Sequence, residues 1–411
     1  MRHAHVIGAG LAGLAAAMAL VERGVGVTLY EAGPAAGGRC RSYFDRELGC
    51  RIDNGNHLVL SGNAAVLAHL RQIDAVATLV GPSRPRFPFI ELPGGARWVL
   101  APSDGRIPWW IFARSRRVPG TRARDYLRLL ALRRAGAEAS VAAVLDDGGP
   151  LYRRLLEPLA IAALNTAPAD GLARLLARVV QETLMRGGAA CRPMVPRVGL
   201  SETFVDPALD WLSRHGARVF TGRRIGALVV ERDHVTGFAD AGGTHAVAGD
   251  EAVVLAVPPN VAADLLPGLT VPDAFCPILN IHFRADAAPG FIGVIGGTAQ
   301  WVFAKPGVAS VTISAAGDLV DLSAEAIAAR VWPDVRAALD LADPMPGFRV
   351  VKERRATFAA TAAQERRRPG PRTAVGNLAL AGDWTATGLP ATIEGAIRSG
   401  RAAATLLTDA S

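Results

Sequence analysis

The sequence predicts an α/β protein: a parallel-sheet domain that binds a dinucleotide, combined with a second, discontinuous α+β domain. Three observations predict it. The chain opens on "HVIGAGLAGLAAAMALVERGVGVTLYEAG", which reads as strand, glycine turn, helix and strand. It closes on "LAGDWTATGLPATIEGAIRSG", which reads as strand, polar turn and helix. Its 411 residues are 50% hydrophobic, enough for two cores.

At the amino end, His5-Val6-Ile7 is a short buried strand. Gly8, Gly10 and Gly13 form G-x-G-x-x-G, and Leu14 to Arg23 has helical apolar spacing that stops at Gly24. Glycines here let the backbone turn sharply, approach a pyrophosphate and pack helix on strand. The amides of Leu11 and Ala12 then belong to a helix N-terminus that faces phosphate. Val25 to Tyr30 is the second strand, ending at Glu31 and Ala32. Glu31 is placed to accept hydrogen bonds from both ribose hydroxyls of an adenosine. The fingerprint with its strand, helix and terminal acid is that of a Rossmann-type domain.

"GGRCRS", Gly37 to Ser42, follows closely. Gly38 offers a free amide and Arg39 a cation to a second set of phosphate or ribityl oxygens. Taken with the preceding unit, this resembles the flavoprotein family of amine oxidases and phytoene desaturases. The resemblance implies FAD as cofactor, with the Gly-Gly-Arg loop crossing its pyrophosphate and the chain returning to the flavin at its end.

The closing segment suits that return. Leu378 to Ala381 is a strand, and Gly382 and Asp383 follow at its carboxyl end. Asp383 would face the ribityl chain or the pyrophosphate. Thr392 and Ile393 would open a helix whose positive end stabilises negative charge on a reduced flavin. Between the two ends, residues 217 to 259 alternate like short strands, with turns at Gly222, Asp233 and Gly242-Gly243. The resemblance places Ile225 where main-chain groups meet the adenine. The expected layout is 1–75, 195–265 and 365–411 for the FAD-binding domain, with 76–194 and 266–364 for the substrate domain.

"IDNGNHLVLSGN", Ile52 to Asn63, clusters Asp53, Asn54, Asn56 and His57 beside a strand-like run. His57 is a candidate general acid, because imidazole changes charge near neutral pH. Asp53 or Asn56 would orient it, although Asp53 also suits a structural turn. "LEPLAIAALNTAPADGLARLLARVVQETLM" reads as two helices broken at 165–170, and Ser201 is placed to cap the helix that carries Trp211. The region 268–360 alternates short strands with one helix near Ala324 to Leu341.

Composition narrows the partners. The formal charge is +8, and all but Lys305 and Lys352 of the 45 basic residues are arginine. "IPWWIF" at Ile107 to Phe112 precedes eight arginines between Arg114 and Arg134, a pattern resembling an interfacial membrane anchor near 105–136. No stacking ladder or binding module points to nucleic acid. The four cysteines make no C-x-x-C and no metal spacing, so they read as reduced thiols of an intracellular protein without a metal site. The early glycines interrupt any signal-peptide core, and no run is long enough to span a bilayer. The expected location is the cytoplasm, peripheral on the inner face of a bacterial membrane.

Across nearly the whole chain the resemblance narrows. "DNGNHLVL", "LAIAALNT", "PRVGLSETF", "ERRATFAATAAQERRRPGPRT" and the closing segment together resemble the hydroxysqualene dehydroxylase family. Asn56 stands where that family is expected to carry Gln, which keeps the amide but shortens its reach. The resemblance implies loss of the allylic hydroxyl of 12-hydroxysqualene and gain of a hydride equivalent, giving squalene for hopanoid or C30 synthesis. The rivals are a phytoene-type desaturase, which shares flavin and tunnel but reverses electron flow, and a flavin amine oxidase. A flavin-bearing membrane adaptor is the non-enzymatic rival. A single dinucleotide fingerprint leaves the electron donor unnamed.

Overall fold

A computed structural model of the chain describes residues 1–342 and 344–409. Its first sheet has five parallel strands in the spatial order Arg218–Phe220, Gly26–Tyr30, His3–Ile7, Glu251–Leu255, Leu378–Leu380. The central strands are nearly continuous apolar runs because both faces are covered. The helix Leu11–Val21 lies on one face with every residue from Leu11 to Leu20 buried. The last helix, Ile393–Asp409, packs against it. A Cβ on Gly400 would sit 2.1 Å from the Ala12 carbonyl oxygen, so the two helices can approach this closely only with glycine there.

A second sheet has seven strands in the order Phe348–Phe358, Phe275–Phe283, Val308–Ile313, Trp301–Lys305, Gly290–Ile295, Phe87–Glu91, Ala96–Leu100. One face is closed by the helix Ala324–Leu339, whose Ser323 hydroxyl accepts from the Ala326 amide. Ile327, Val331 and Val335 of that helix join Leu279, Ile281, Val302 and Val311 in one core. The opposite face looks toward the helices Glu157–Leu164 and Ala173–Glu182. A three-stranded meander, 227–246, turns at Arg232-Asp233, both with positive φ, and at Gly242-Gly243.

Two local expectations change. Ser201 does not cap the Trp211 helix, Asp206–Arg214. It lies in a preceding π-helical turn and trades hydrogen bonds with Ser42: Ser42 N–H donates to Ser201 Oγ and Ser201 N–H donates to Ser42 Oγ. The basic segment 123–134 is helical, but it is a 3₁₀ helix. With three residues per turn, Tyr126, Leu129 and Leu132 form one buried ridge, and Arg124, Leu127, Leu130 and Arg133 form an exposed one.

Candidate functional site

The strand His3–Ile7 delivers the chain into the turn at Gly8, whose φ is +105° and whose Cβ would strike the Ala256 carbonyl oxygen at 2.4 Å. A Cβ on Gly13 would meet the Gly8 carbonyl at 1.9 Å. At Gly10 a Cβ would meet nothing within 4 Å. Gly10 precedes Leu11–Val21 with no side-chain cap, so the first-turn amides at Leu11 and Ala12 face this open space. The Glu31 carboxylate is held at its edge by N–H donation from Ala9 at 2.9 Å and Gly33 at 2.7 Å. Phe220 and Arg223 flank Glu31 through main-chain bonds, and the Arg223 guanidinium lies over both Phe220 and Tyr30. Ile225 is buried nearby on the same connection and makes no main-chain hydrogen bond among the described residues.

Gly37 and Gly38, both with positive φ, bring the second glycine loop against the first: the Gly37 amide donates to the Ala9 carbonyl. Arg39 then crosses to the far end of the chain. Its Nη2 reaches both carboxylate oxygens of Asp383, at 2.7 and 2.8 Å, and its Nη1 donates to the Ala356 carbonyl. Two residues expected to touch the cofactor separately are thus joined to each other. Gly382 leaves room for the Trp384 ring, which a Cβ would strike at 2.3 Å, and Trp384 Nε1 donates to the Val257 carbonyl. Thr392 caps the last helix by accepting from the Gly395 amide at 3.0 Å, and Ile393 begins it.

His57 sits on the loop after the strand Cys50–Asp53, half-buried, with neither ring nitrogen hydrogen-bonded among the described residues. Burial pushes it down to about 4; the Asp53 carboxylate opposes that shift and the Arg39 cation adds to it. No hydrogen bond links His57 to Asp53 or Asn56. Asp53 Oδ1 accepts from Ser42 Oγ at 2.6 Å and the Leu200 amide at 2.8 Å, and its Oδ2 accepts from Lys305 Nζ at 2.7 Å. Asn56 Nδ2 donates to Thr312 Oγ1 at 3.1 Å, and Thr312 in turn donates to Asn280 Oδ1 at 2.8 Å. The loop therefore rests on the seven-stranded sheet through amides and hydroxyls.

Sequence reasoning missed three residues that hold this site. Lys305 pairs with the buried Asp53; its only signal was the rarity of lysine in this chain. Arg368, from "ERRRPG", has a fully buried side chain that donates to the carbonyl oxygens of Asp383, Trp384, Thr385 and Leu389 and pairs with Glu365. It also lies over the Phe358 ring. Glu394, in the first turn of the last helix, accepts from the amides of Ala65 and Val66 and so ties that helix to the start of the helix Ala64–Gln72.

An uncapped helix start, open space at Gly10 and a carboxylate beside it fit the FAD that the sequence leads one to expect. Among the described residues no group of His, Cys, Asp and Glu could hold a metal ion.

Known proteins resemble the chain over nearly its whole length. A family model described as flavin containing amine oxidoreductase matches residues 11–408. The chain is 49% identical over 408 residues to a hydroxysqualene dehydroxylase of Rhodopseudomonas palustris, covering 98% of this chain and 97% of that protein. It is 47% identical over 408 residues to a hydroxysqualene dehydroxylase of Sinorhizobium fredii, covering 98% of each. A solved oxidoreductase structure from Methanosarcina mazei matches with a TM-score of 0.73 at 16% identity, over 97% of this chain and 98% of that one, a likeness of fold alone.

Proposed function

The chain belongs to the flavin-containing amine oxidoreductase family and is an FAD-dependent oxidoreductase, and we propose that it removes the allylic hydroxyl of 12-hydroxysqualene to give squalene. The observation that carries this is the end-to-end identity with two hydroxysqualene dehydroxylases. The segments 1–75, 195–265 and 365–411 would hold the cofactor, a division supported by all five parallel strands coming from them. Leu11, Ala12 and Gly13 would meet the pyrophosphate, with Gly8 making the turn against Ala256 and Gly10 clearing the path. Glu31 and Ala32 would bind the ribose and Ile225 the adenine. Gly38, Arg39, Gly382 and Asp383 would line the ribityl side, and Thr392 and Ile393 the isoalloxazine.

The bound flavin, when reduced, supplies a hydride equivalent. The protein's part is to ionise the carbon–oxygen bond and exclude water. The hydroxyl takes one proton and leaves as water. His57 would supply it, and burial makes that imidazolium a stronger acid than an ordinary histidine. The same shift leaves only about one ring in a thousand protonated at pH 7. Asn56 would be a positioning residue, since its amide carbonyl is not engaged by Thr312. Asp53 would act on His57 through charge alone, its oxygens being held by Ser42, Leu200 and Lys305.

The test is anaerobic. Enzyme reduced with dithionite is mixed with 12-hydroxysqualene in detergent, and products are separated by gas chromatography. Squalene appearing as the flavin reoxidises supports the proposal. Oxidation of squalene or phytoene-type polyenes by the oxidised enzyme instead would move it to desaturation.

We further propose that the enzyme works at an anionic membrane surface. No helix among the described residues is long and apolar enough to cross a membrane. What supports surface contact is a set of outward apolar side chains, Trp109 and Phe112, each 66% exposed, with Ile107, Leu127 and Leu130, interspersed along the chain with exposed Arg106, Arg114, Arg124 and Arg133.

A further inference from the structure

We infer that the aromatic face of the seven-stranded sheet is the seat of one farnesyl-length arm of a polyunsaturated hydrocarbon, with the carbinol carbon at the polar end of the same face. The inference deepens the proposed function and rests on it for the identity of the chain.

The pairing register carries it. Asn280, Thr312, Trp301, Gly293, Phe89 and Trp98 stand directly opposite one another on six consecutive strands. Directly paired residues project from the same face of a sheet. The next row on that face runs His282, Ser310, Phe303, Phe291, with Phe87 beside Phe291. The face is therefore polar at one end and aromatic at the other. The rings form a continuous surface: centroids lie 4.3 Å apart for Phe89–Trp98, 5.6 Å for Phe89–Trp301, 6.2 Å for Phe291–Trp301 and 6.3 Å for Phe291–Phe303. The polar end is where Asn56 of the His57 loop bonds to Thr312.

The distance suits the ligand. From Thr312 to Trp98 is four strand spacings, about 19 Å at about 4.8 Å each. That is long enough to seat an arm of three isoprene units running away from an allylic hydroxyl. Room exists above the floor: a cavity of about 230 Å³ lies between Phe89, Trp301 and Ile295 of the sheet and Ile161 of the overlying helix, with Arg153 and Glu157 at its rim. Burial raises the Glu157 carboxyl, with Asp146 adding. Gly293 carries no side chain, and the Phe89 ring lies over it: a Cβ there would sit 2.5 Å from that ring, so the aromatic surface continues across mid-row. Alkene π-bonds on aromatic faces gain dispersion and exclude water without needing a polar partner.

The test is retention of squalene by FAD-loaded enzyme after gel filtration in mild detergent, quantified by gas chromatography. Ile161→Trp, which fills the cavity, and Trp301→Leu, which breaks the floor, should each weaken squalene retention at least about tenfold. Both should leave binding of geraniol, a C10 allylic alcohol that fits at the polar end, within about twofold. Flavin content and melting temperature report folding, and Ile161→Phe replaces the larger variant if it fails to fold. Folded variants that retain squalene like the wild type overturn the floor, even where the wild type dehydroxylates hydroxysqualene. A wild type that retains squalene, loses it in the variants, yet dehydroxylates nothing keeps the floor and overturns the proposed reaction. A wild type that retains no squalene overturns the inference.

Discussion

His57 and Arg39 carry opposite lessons at the scale of single residues. Among the described residues His57 has no hydrogen-bond partner, and burial is the main cause that holds it at about 4. If its imidazolium is the proton donor, single-turnover dehydroxylation rises about tenfold for each pH unit lowered from 7.5 towards 5, because the acid form grows in that proportion. His57→Gln should lose about a hundredfold in rate and flatten that slope; a wild type with no such slope would move the acid elsewhere. Arg39 is held at both terminal guanidinium nitrogens. Its guanidinium joins the Asp383 carboxylate to the strand end at Ala356, so it ties the first cofactor loop to the last. Arg39→Ala removes a charge-assisted bond, commonly worth about 1.5–3 kcal/mol. FAD affinity should fall roughly tenfold to a hundredfold, read from the ratio of visible to ultraviolet absorbance after dialysis.

Elements set where those residues can act. The turn 382–389 has no regular structure of its own, and its carbonyls converge on one buried guanidinium, Arg368. Removing a buried charge from its partners costs about 3–5 kcal/mol, so Arg368→Met should lower the melting temperature sharply and open the turn to limited proteolysis. A variant as stable and as protease-resistant as the wild type would show that the turn holds itself. The 3₁₀ geometry of Ala123–Arg134 matters in the same way. It turns one sequence into two ridges, one feeding the core with Tyr126, Leu129 and Leu132, the other presenting leucines between arginines. Trp109→Ser with Phe112→Ser should reduce co-sedimentation with anionic vesicles about tenfold while leaving turnover of detergent-solubilised substrate unchanged. Equal sedimentation of both proteins would remove this surface as the contact.

The whole molecule responds to acid through its buried histidines. His69, His282 and His57 are all pushed down to about 4, burial being the main cause in each. In the unfolded chain they titrate near their ordinary value of about 6.5. Between those values the unfolded state binds more protons, so stability is complete above about pH 6.5 and is lost as pH falls towards 4. His69 and His282 bear most of this, since both are almost fully buried; His57 is half-buried and contributes less. The melting temperature should drop steadily between pH 6.5 and 4.5, and His282→Gln should make the drop shallower. An unchanged melting temperature across that range would show that these rings find protons tolerable.

The sequence by itself determined the parts whose physics is local. The strand–glycine–helix opening, Glu31 at the end of the second strand, the helix break at Asn165, and the helix starting at Ile393 each follow from spacing, turn chemistry or backbone freedom within about thirty residues. The motif resemblance over nearly the full length named the family for the same reason, since motifs are local strings. Only the tertiary structure decided which distant groups meet. Arg39 and Asp383 are expected near one cofactor from sequence, but their ion pair spans 344 residues and leaves no mark in either string. The hold of Ser42, Leu200 and Lys305 on Asp53, the burial that depresses His57, and the row from Asn280 to Trp98 are likewise settled by strand order and register. Those depend on which apolar faces bury one another, a property of the folded whole that no single stretch encodes.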